Sequence, residues 1–491
     1  MLSVDDQGPW PACPAPFNLS EHVLWSSGAP GDKVAMAVLS ASGAERWSYD
    51  RLRAAVLRAG AGLLTAGASP GDRIALRLGN SSAFPVVFLG AIAAGLLPVP
   101  ISAALTNQES ARLIEAVNPA LTIGENGIDP ASLHQSEPLT KFDRGNPNRP
   151  AYIIFTSGTS GNPMGVVHAH RAIWARQAMI NGWYDLKADD RVLHAGAFNW
   201  TYTLGTGLCD PWTVGATALV PADGTDPALL PLLLKRHDAT IFAAAPGVYR
   251  RLVRAPLPAM PKLRHALSAG EKLPPSTAKA WTKATGTKIH EAFGQSECST
   301  FISGSPSKPA LPDALGYAQP GRRVAILSDG EPTPRGEPGD IAIGSDDPGV
   351  MLGYLEDDEK TKARFCGDWF LTGDTGLMAE DGAITYLGRR DDILTAGGYR
   401  ISPVEVENAM LLHPDITDAA VVDEQLDAET RVVALHYAAE AQLDADDLRD
   451  HAAQHLARYK QPRTFHHHES LPRGAGGKLL RRTFKAERHD T

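Results

Sequence analysis

Residues 151–165, AYIIFTSGTSGNPMG, join five apolar residues to a loop rich in hydroxyls and glycine. The apolar run predicts a buried strand, which would give the loop a rigid base. Glycine lets successive backbone N–H groups converge into a nest for anions, and Ser and Thr hydroxyls add further donors. A flexible surface loop is the alternative. The pattern favours a phosphate site formed by Thr156, Ser157, Gly158, Thr159, Ser160 and Gly161.

The segments before this loop alternate between helix and strand. Apolar residues at helical spacing predict a helix over residues 49–66, and alternation predicts a strand over residues 73–78. Residues 84–105 carry no charge and are long enough to span a membrane. Their prolines and glycines favour instead a buried helix over residues 85–94, a turn and a core strand over residues 97–101. This rhythm predicts parallel strands covered by helices.

The remainder of the chain predicts three further units. A second α/β stretch runs over residues 192–293, and short strands rich in Gly and Pro after residue 303 predict a small barrel or sandwich. We therefore expect the α/β class. Residues 1–390 would form a large N-terminal domain of two helix-covered sheets plus a small β-barrel, and residues 391–491 a small α+β C-terminal domain.

Composition and missing motifs exclude several classes of protein. The 491 residues carry 47 Lys plus Arg against 56 Asp plus Glu, with no long basic run, so nucleic acid is not expected as a partner. Four scattered cysteines without a CxxC exclude a disulfide scaffold. The phosphate loop is not a Walker A motif, and GxGxxG, GxSxG and HExxH are absent. The N-terminus lacks an apolar targeting segment, so a cytoplasmic location is expected. Histidines 466–468 would alternate between two faces of a strand, so they cannot all bind one ion.

Six motifs in a fixed order carry a family resemblance. Besides the phosphate loop they are LSAGEK at 267–272, EAFGQSE at 291–297, LTGD at 371–374, GRRDD at 388–392 and PRGAGGK at 472–478. Together they resemble the signature motifs of the adenylate-forming superfamily, which includes acyl-CoA synthetases, carrier-protein adenylation domains and luciferases. Long stretches are similar to the benzoate- and medium-chain acid–CoA ligase branch.

The resemblance implies where ATP would bind. Gly270, Glu271, Glu291 and Phe293 would border the adenine, while Asp374 and Arg389 would bind the ribose. Ser296 stands where the family usually has Thr, and its hydroxyl would keep the phosphate contact. Glu297 would bind Mg²⁺, because a hard cation prefers carboxylate oxygen.

The resemblance also implies two roles for the C-terminal domain. Lys478 would contact the substrate carboxylate and the α-phosphate during adenylation, and it joins Ser296 and Glu297 as a catalytic residue. After rotation about a hinge at Asp391, Gly397 and Gly398 would admit the pantetheine arm of CoA.

One residue departs from the family pattern. The phosphate loop usually contains a Lys at the position of Met164, where it contacts the β- and γ-phosphates. Methionine has no charge, so we expect reduced ATP affinity more than lost chemistry.

The stretch AFNWTYTLG at 197–205 resembles the segment that lines the acyl pocket in the family. Domains that activate α-amino acids usually place an Asp here, whereas this chain has the uncharged Asn199. Trp200 and Tyr202 would shorten the pocket, and Ala245 and Ala269 would form other walls. These residues imply a small or medium, largely apolar acid, with aromatic acids included.

The implied function is that of an ATP-dependent acid–CoA ligase. The acid and ATP would give acyl-AMP and pyrophosphate, and the CoA thiol would then displace AMP. Two alternatives stay open: a stand-alone adenylation enzyme that loads a carrier protein, and a weakly active or non-catalytic nucleotide-binding relative, suggested by Met164. The expected small-molecule partners are ATP, Mg²⁺, CoA and a carboxylic acid. No membrane span is expected, and a homodimer is one candidate assembly.

Overall fold

A computed structural model describes residues 1–156, 163–390, 394–396, 399–425, 431–473 and 479–485. Several sequence predictions concern residues outside these ranges. They are the predictions for Ser157, Gly158, Thr159, Ser160, Gly161, Asp391, Gly397, Gly398 and Lys478.

The largest sheet has nine strands. Its central six strands run parallel, and strands at both edges run antiparallel, so helices can cover both faces. In spatial order the strands are Tyr317–Ala318, Ser299–Ser303, Ile289–Gln295, His265–Ala269, Ile241–Ala244, Arg191–His194, Thr217–Pro221, Val34–Leu39 and Ala44–Ser48.

Two three-stranded sheets form the second helix-covered layer. One is parallel, with the order Leu97–Pro100, Arg73–Arg77 and Leu121–Gly124. The other is antiparallel, with the order Gly353–Tyr354, Met164–Ala169 and Pro150–Thr156. Val99 and Ile153 share one buried cluster, so the two sheets pack together.

Side-chain caps and apolar faces explain the main helices. Ser48 accepts a hydrogen bond from Arg51 N at the start of Tyr49–Thr65, and Thr106 and Glu109 form a capping box. The α-helices are Leu19–Trp25, Tyr49–Thr65, Ala83–Ala93, Asn107–Val117, Ala172–Ala175, Thr201–Leu204, Asp210–Thr213, Leu230–Arg236, Pro246–Leu252, Pro275–Thr285, Asp358–Lys362, Pro403–Met410, Ala445–His455 and Arg482–Lys485.

The uncharged segment after residue 83 is a core helix, as the sequence predicts. Ala83–Ala93 is buried on all sides, and the strand Leu97–Pro100 follows it after a turn. In the part of the chain that the structure describes, no helix is both long enough and apolar enough to cross a membrane.

A seven-stranded antiparallel sheet follows the nine-stranded one along the chain. Its strands are Val4–Asp6, Arg323–Ser328, Glu331–Pro332, Gly339–Gly344, Phe365–Cys366, Trp369–Met378 and Ile384–Arg389. The sequence predicts a small barrel or sandwich here. Among the described strands the hydrogen-bonded order runs from Val4–Asp6 through Arg323–Ser328, Gly339–Gly344 and Trp369–Met378 to Phe365–Cys366. Glu331–Pro332 also pairs with Arg323–Ser328, and Ile384–Arg389 with Trp369–Met378.

The C-terminal region has its own α+β core. The hairpin Leu394–Ala396 and Tyr399–Ile401 precedes a sheet formed by Asp418–Gln425, Arg431–Ala438 and Thr464–His468. Residues of the helices Pro403–Met410 and Ala445–His455 complete a buried cluster around this sheet.

The three consecutive histidines alternate as predicted. The rings of His466 and His468 both stack on His436, whereas the ring of His467 lies against Tyr437.

Candidate active site

The predicted phosphate loop connects the two strands of a β-hairpin. Thr156 and Met164 are register partners at the ends of these strands, and the Thr156 hydroxyl donates to Met164 O at 3.5 Å. Residues 157–162 between them lie outside the described ranges. The Met164 side chain is half-buried and packs against a cluster that includes Val166 and Phe301. The position where the family usually has Lys is therefore part of an apolar contact.

The structure brings together the two residues predicted for the ribose. Asp374 and Arg389 face each other on adjacent antiparallel strands, with Arg389 Nε 3.9 Å from Asp374 Oδ1. The Asp374 side chain is almost fully buried, the Tyr386 hydroxyl donates to its Oδ1 at 3.2 Å, and Gln295 Nε2 donates to Oδ2. A buried carboxylate held by several donors is a fixed acceptor for ribose hydroxyls.

Sequence reasoning missed three residues around this carboxylate. Gln295 Nε2 also donates to Thr372 O at 2.7 Å, which joins two of the motifs. Arg364 Nη2 donates to Gln295 Oε1 at 2.8 Å and holds that amide in place. Burial, and then the nearby charge of Asp374, raise the pKa of Tyr386, so this phenol stays protonated as a donor. Gln295 lies inside the motif at 291–297, so the sequence could have indicated it, whereas Arg364 belongs to none of the six motifs.

The residues predicted to border the adenine form an aromatic wall beside a tight turn. The ring of Phe293 lies 5.6 Å from that of Phe301 and 5.7 Å from that of Tyr386. Glu291 accepts from Leu273 N at 2.8 Å and from Lys272 Nζ at 2.9 Å, so its carboxylate ties the turn to the strand. Both oxygens of that carboxylate therefore already accept hydrogen bonds from the protein.

Glu297 lies in a turn next to Ser296, between the strands Ile289–Gln295 and Ser299–Ser303. The Glu297 carboxylate is mostly buried and accepts from the Tyr354 hydroxyl at 2.9 Å. Across the described ranges, no group of three or more His, Cys, Asp or Glu side chains could hold a metal by itself. One carboxylate fits Mg²⁺ that arrives with a nucleotide, because that ion keeps phosphate oxygens and waters as its other ligands.

Arg473 connects the C-terminal region to the adenine-side turn. Its Nη1 donates to Glu271 Oε2 at 2.9 Å, and its Nη2 donates to Asp418 Oδ2 at 2.8 Å. Asp418 also accepts from Arg250 Nη1 at 2.7 Å, so two ion pairs cross between the regions. We call Arg250, Glu271, Asp418 and Arg473 the interdomain cluster. Its members are about four-fifths buried, where ion pairs are screened less than at the surface.

The interdomain cluster lies beside the predicted catalytic loop. Arg473 forms an antiparallel bridge with Leu479, and Leu480 N donates to Pro472 O at 3.0 Å, so the two ends of residues 474–478 are held together. Burial raises the pKa of Glu271, and the positive charge of Arg473 opposes that rise. Loss of Arg473 would therefore leave a poorly solvated carboxylate at the adenine side.

The predicted acyl-pocket residues surround one end of the nine-stranded sheet. Asn199 and Trp200 are half-buried just before the helix Thr201–Leu204, and Ala245 follows the strand Ile241–Ala244. Tyr202 packs against a buried cluster that includes Ala269. The carboxyl ends of parallel strands in an α/β sheet are where ligands commonly bind.

Comparisons with known proteins show which family the chain resembles. The family model of AMP-binding enzymes matches residues 24–355, and the model of the AMP-binding enzyme C-terminal domain matches residues 405–478. Benzoate–CoA ligase of Thauera aromatica is 30% identical over 475 residues, which cover 89% of this chain and 90% of that protein. The mitochondrial acyl-coenzyme A synthetase ACSM2B of Homo sapiens is 30% identical over 525 residues, which cover 95% and 90%.

Solved structures share the complete fold. A benzoate CoA ligase from Burkholderia xenovorans LB400 superposes with a TM-score of 0.85 at 25% identity, covering 95% of this chain and 99% of that one. The anthranilate CoA ligase AuaEII, in complex with anthranoyl-AMP, superposes with a TM-score of 0.87 at 23% identity, covering 96% and 97%. The motifs, the fold and the two family models agree: this chain belongs to the AMP-binding enzyme family.

Proposed function

We propose that this chain is an AMP-forming acid–CoA ligase that acts on a small or medium, largely apolar carboxylic acid. One observation carries the proposal: Arg473, at the base of the C-terminal loop, is bound to Glu271 in the adenine-side turn. This contact brings Arg473, which belongs to the last of the six motifs, next to the turn that is predicted to border the adenine. The relatives named for CoA ligase activity support the choice of reaction.

The reaction solves a leaving-group problem. A carboxylate cannot expel oxide, so a carboxylate oxygen first attacks the α-phosphorus of ATP and pyrophosphate leaves. The CoA sulfur then attacks the acyl carbon, and AMP leaves. The protein contributes positioning and electrostatic stabilisation. Asp374 and Arg389 would bind the ribose, and the hydroxyls and backbone N–H groups of the phosphate loop would bind the phosphates. Lys478 would carry positive charge to the reacting carboxylate and α-phosphate.

The predicted pocket residues support an uncharged, compact acyl group. Asn199 offers no charge to an ammonium group, and Tyr202 packs into the apolar cluster that contains Ala269. Glu297 would hold Mg²⁺ that neutralises phosphate charge. The division at Asp391, the roles of Gly397 and Gly398, a homodimer and a cytoplasmic location remain predictions of the sequence.

A pyrophosphate-release screen tests the proposal. Purified protein would be incubated with ATP and Mg²⁺ and a panel of aliphatic and aromatic acids, with and without CoA. We expect acid-dependent pyrophosphate release and, with CoA, AMP and acyl-CoA in equal amounts. Adenylate formation without transfer to CoA would favour carrier-protein loading. Release of neither product with any acid would favour a non-catalytic relative. Asp374→Ala serves as the matched negative control, because it removes the predicted ribose acceptor.

A further inference from the structure

His194 lies beneath the predicted acyl pocket, on the same face of the sheet. It ends the strand Arg191–His194 and is the register partner of Ala243, which in turn pairs with Leu267. Register partners in parallel strands point to the same face. Ala243, Leu267 and Ala269 all belong to one buried cluster, so His194 points to that face. Ala269 lies two residues further along its strand than Leu267, which places His194 about 7 Å deeper than the Ala269 wall.

The ring of His194 is buried without a hydrogen-bond partner. Neither of its nitrogens has a partner among the described residues, and the same holds for the hydroxyl of the nearby Thr203. Both side chains converge on Gly196. A Cβ atom built there would lie 2.4 Å from Thr203 Oγ1 and 3.0 Å from His194 Cε1. Buried polar groups are nearly always hydrogen-bonded in native proteins, so two adjacent exceptions call for a partner.

The groups around His194 keep its imidazole neutral, and an aromatic ring lies against one side of it. The ring of Tyr202 meets it edge-on at 4.4 Å, and the Tyr202 hydroxyl donates to Leu267 O at 3.2 Å. Burial, and then the charge of Arg176, lower the pKa of His194 to about 3. A neutral imidazole offers one donor and one acceptor, and the Thr203 hydroxyl offers both.

We propose that the acyl group of the substrate carries a hydroxyl or amino substituent that hydrogen-bonds to His194, with Thr203 as the second partner. This inference rests on the proposed function and narrows its substrate class from a largely apolar acid to one with a single polar group deep in the pocket. Hydroxyl and amino groups fit because each can donate and accept at the same point. A site that must pair buried polar groups discriminates against an acid that lacks the substituent.

The test compares matched acids that differ by one substituent. Values of kcat/KM for pyrophosphate release would be measured for benzoate and its hydroxy and amino isomers, and for medium straight-chain acids with and without a terminal hydroxyl. Wild type should prefer one substituted acid over its parent by about 5- to 150-fold, the range expected for an unpaired buried polar group. His194→Leu should remove most of this preference, measured as the ratio of kcat/KM for the substituted acid to that for its parent.

Two further variants keep the test decisive. Thr203→Val removes only the hydroxyl with little change of shape, and it should weaken the same preference if His194→Leu folds poorly. His168→Leu is the matched control, because His168 is equally buried with a pKa near 3 but stacks on Tyr152 in another sheet. It should leave the preference intact.

The outcomes separate this inference from the proposed function. A wild-type enzyme that activates parent acids and ignores substituents would overturn the inference and leave the ligase function standing. A preference that survives both His194→Leu and Thr203→Val would also overturn it. A wild-type protein that releases no pyrophosphate with any acid would overturn the proposed function itself.

Discussion

We expect Arg473 to favour the orientation of the C-terminal region in which adenylation occurs. Its guanidinium binds Glu271 across the interface and Asp418 within the C-terminal region, so Arg473→Ala removes one crossing ion pair and loosens the second. The base of the predicted Lys478 loop would then no longer be fixed to the adenine-side turn. We expect the first half-reaction to slow and the second to change little.

The size of the effect follows from the contacts that are lost. Hydrogen bonds to charged groups contribute about 1.5–3 kcal/mol when well buried. The Arg473 side chain is 23% exposed and that of Glu271 is 18% exposed, so screening reduces this value. The Arg250 contact to Asp418 remains. A net loss of about 1–2 kcal/mol in the stability of the adenylating orientation corresponds to adenylation slowed by about 5- to 30-fold.

Single-turnover kinetics measure the two steps separately. Acyl-AMP formation would be followed from ATP and acid, and thioester formation from supplied acyl-AMP and CoA. Arg449→Ala is the matched control, since Arg449 pairs with Asp446 on an exposed helix surface within the C-terminal region. Arg473→Lys should recover part of the rate. Equal slowing of both steps, with an unchanged Tm, would refute the assignment.

Four further predictions follow from the same site. Lys478→Ala should cost about 10²–10³ in the adenylation rate and largely spare thioester formation from acyl-AMP; equal losses would contradict its role. Met164→Lys should lower the KM for ATP through a new charge-assisted contact, whereas an unchanged or higher KM would mean that the apolar packing of Met164 fixes this strand end. Asp391→Pro fixes φ and removes an N–H, so it should slow one half-reaction much more than the other; a uniform effect would place the hinge elsewhere. The folded pKa of His194 is about 3 against an ordinary 6.5, so the unfolded chain binds the extra proton as pH falls below 6.5 and the free energy of unfolding decreases. Near pH 5 this residue lowers the free energy of unfolding by about 1.4 kcal/mol for each pH unit of acidification. Denaturant titrations at a series of pH values should therefore give a plot of unfolding free energy against pH that is shallower by that amount in His194→Leu.

Elements with strong periodicity could be predicted from the sequence. The helix Tyr49–Thr65 and the strand Pro150–Thr156 agree with their predictions to within a residue or so, because their apolar patterns reflect burial directly. The motif resemblance predicts that Asp374 and Arg389 approach the same ribose, and strand register explains why the two residues lie face to face.

Contacts that depend on distant packing could not be predicted. Arg473 and Asp418 are separated by 55 residues, and Arg473 and Glu271 by 202, so no local pattern indicates that they pair. His194 is a single histidine at a strand end, and only the sheet register shows that it shares a face with residues of the predicted acyl pocket. Short Gly-rich strands indicate the antiparallel pairing that is observed after residue 303, but they do not specify which strands are neighbours.

Transfer of an oxygen label tests the central claim most directly. A substrate acid labelled with ¹⁸O in its carboxylate would be converted to acyl-CoA in the presence of ATP, Mg²⁺ and CoA, and the AMP product analysed by mass spectrometry. An acyl-adenylate route moves one carboxylate oxygen to the α-phosphate, so each acyl-CoA formed should be accompanied by one singly labelled AMP. Unlabelled AMP, or label in phosphate with ADP as the nucleotide product, would contradict an AMP-forming ligase.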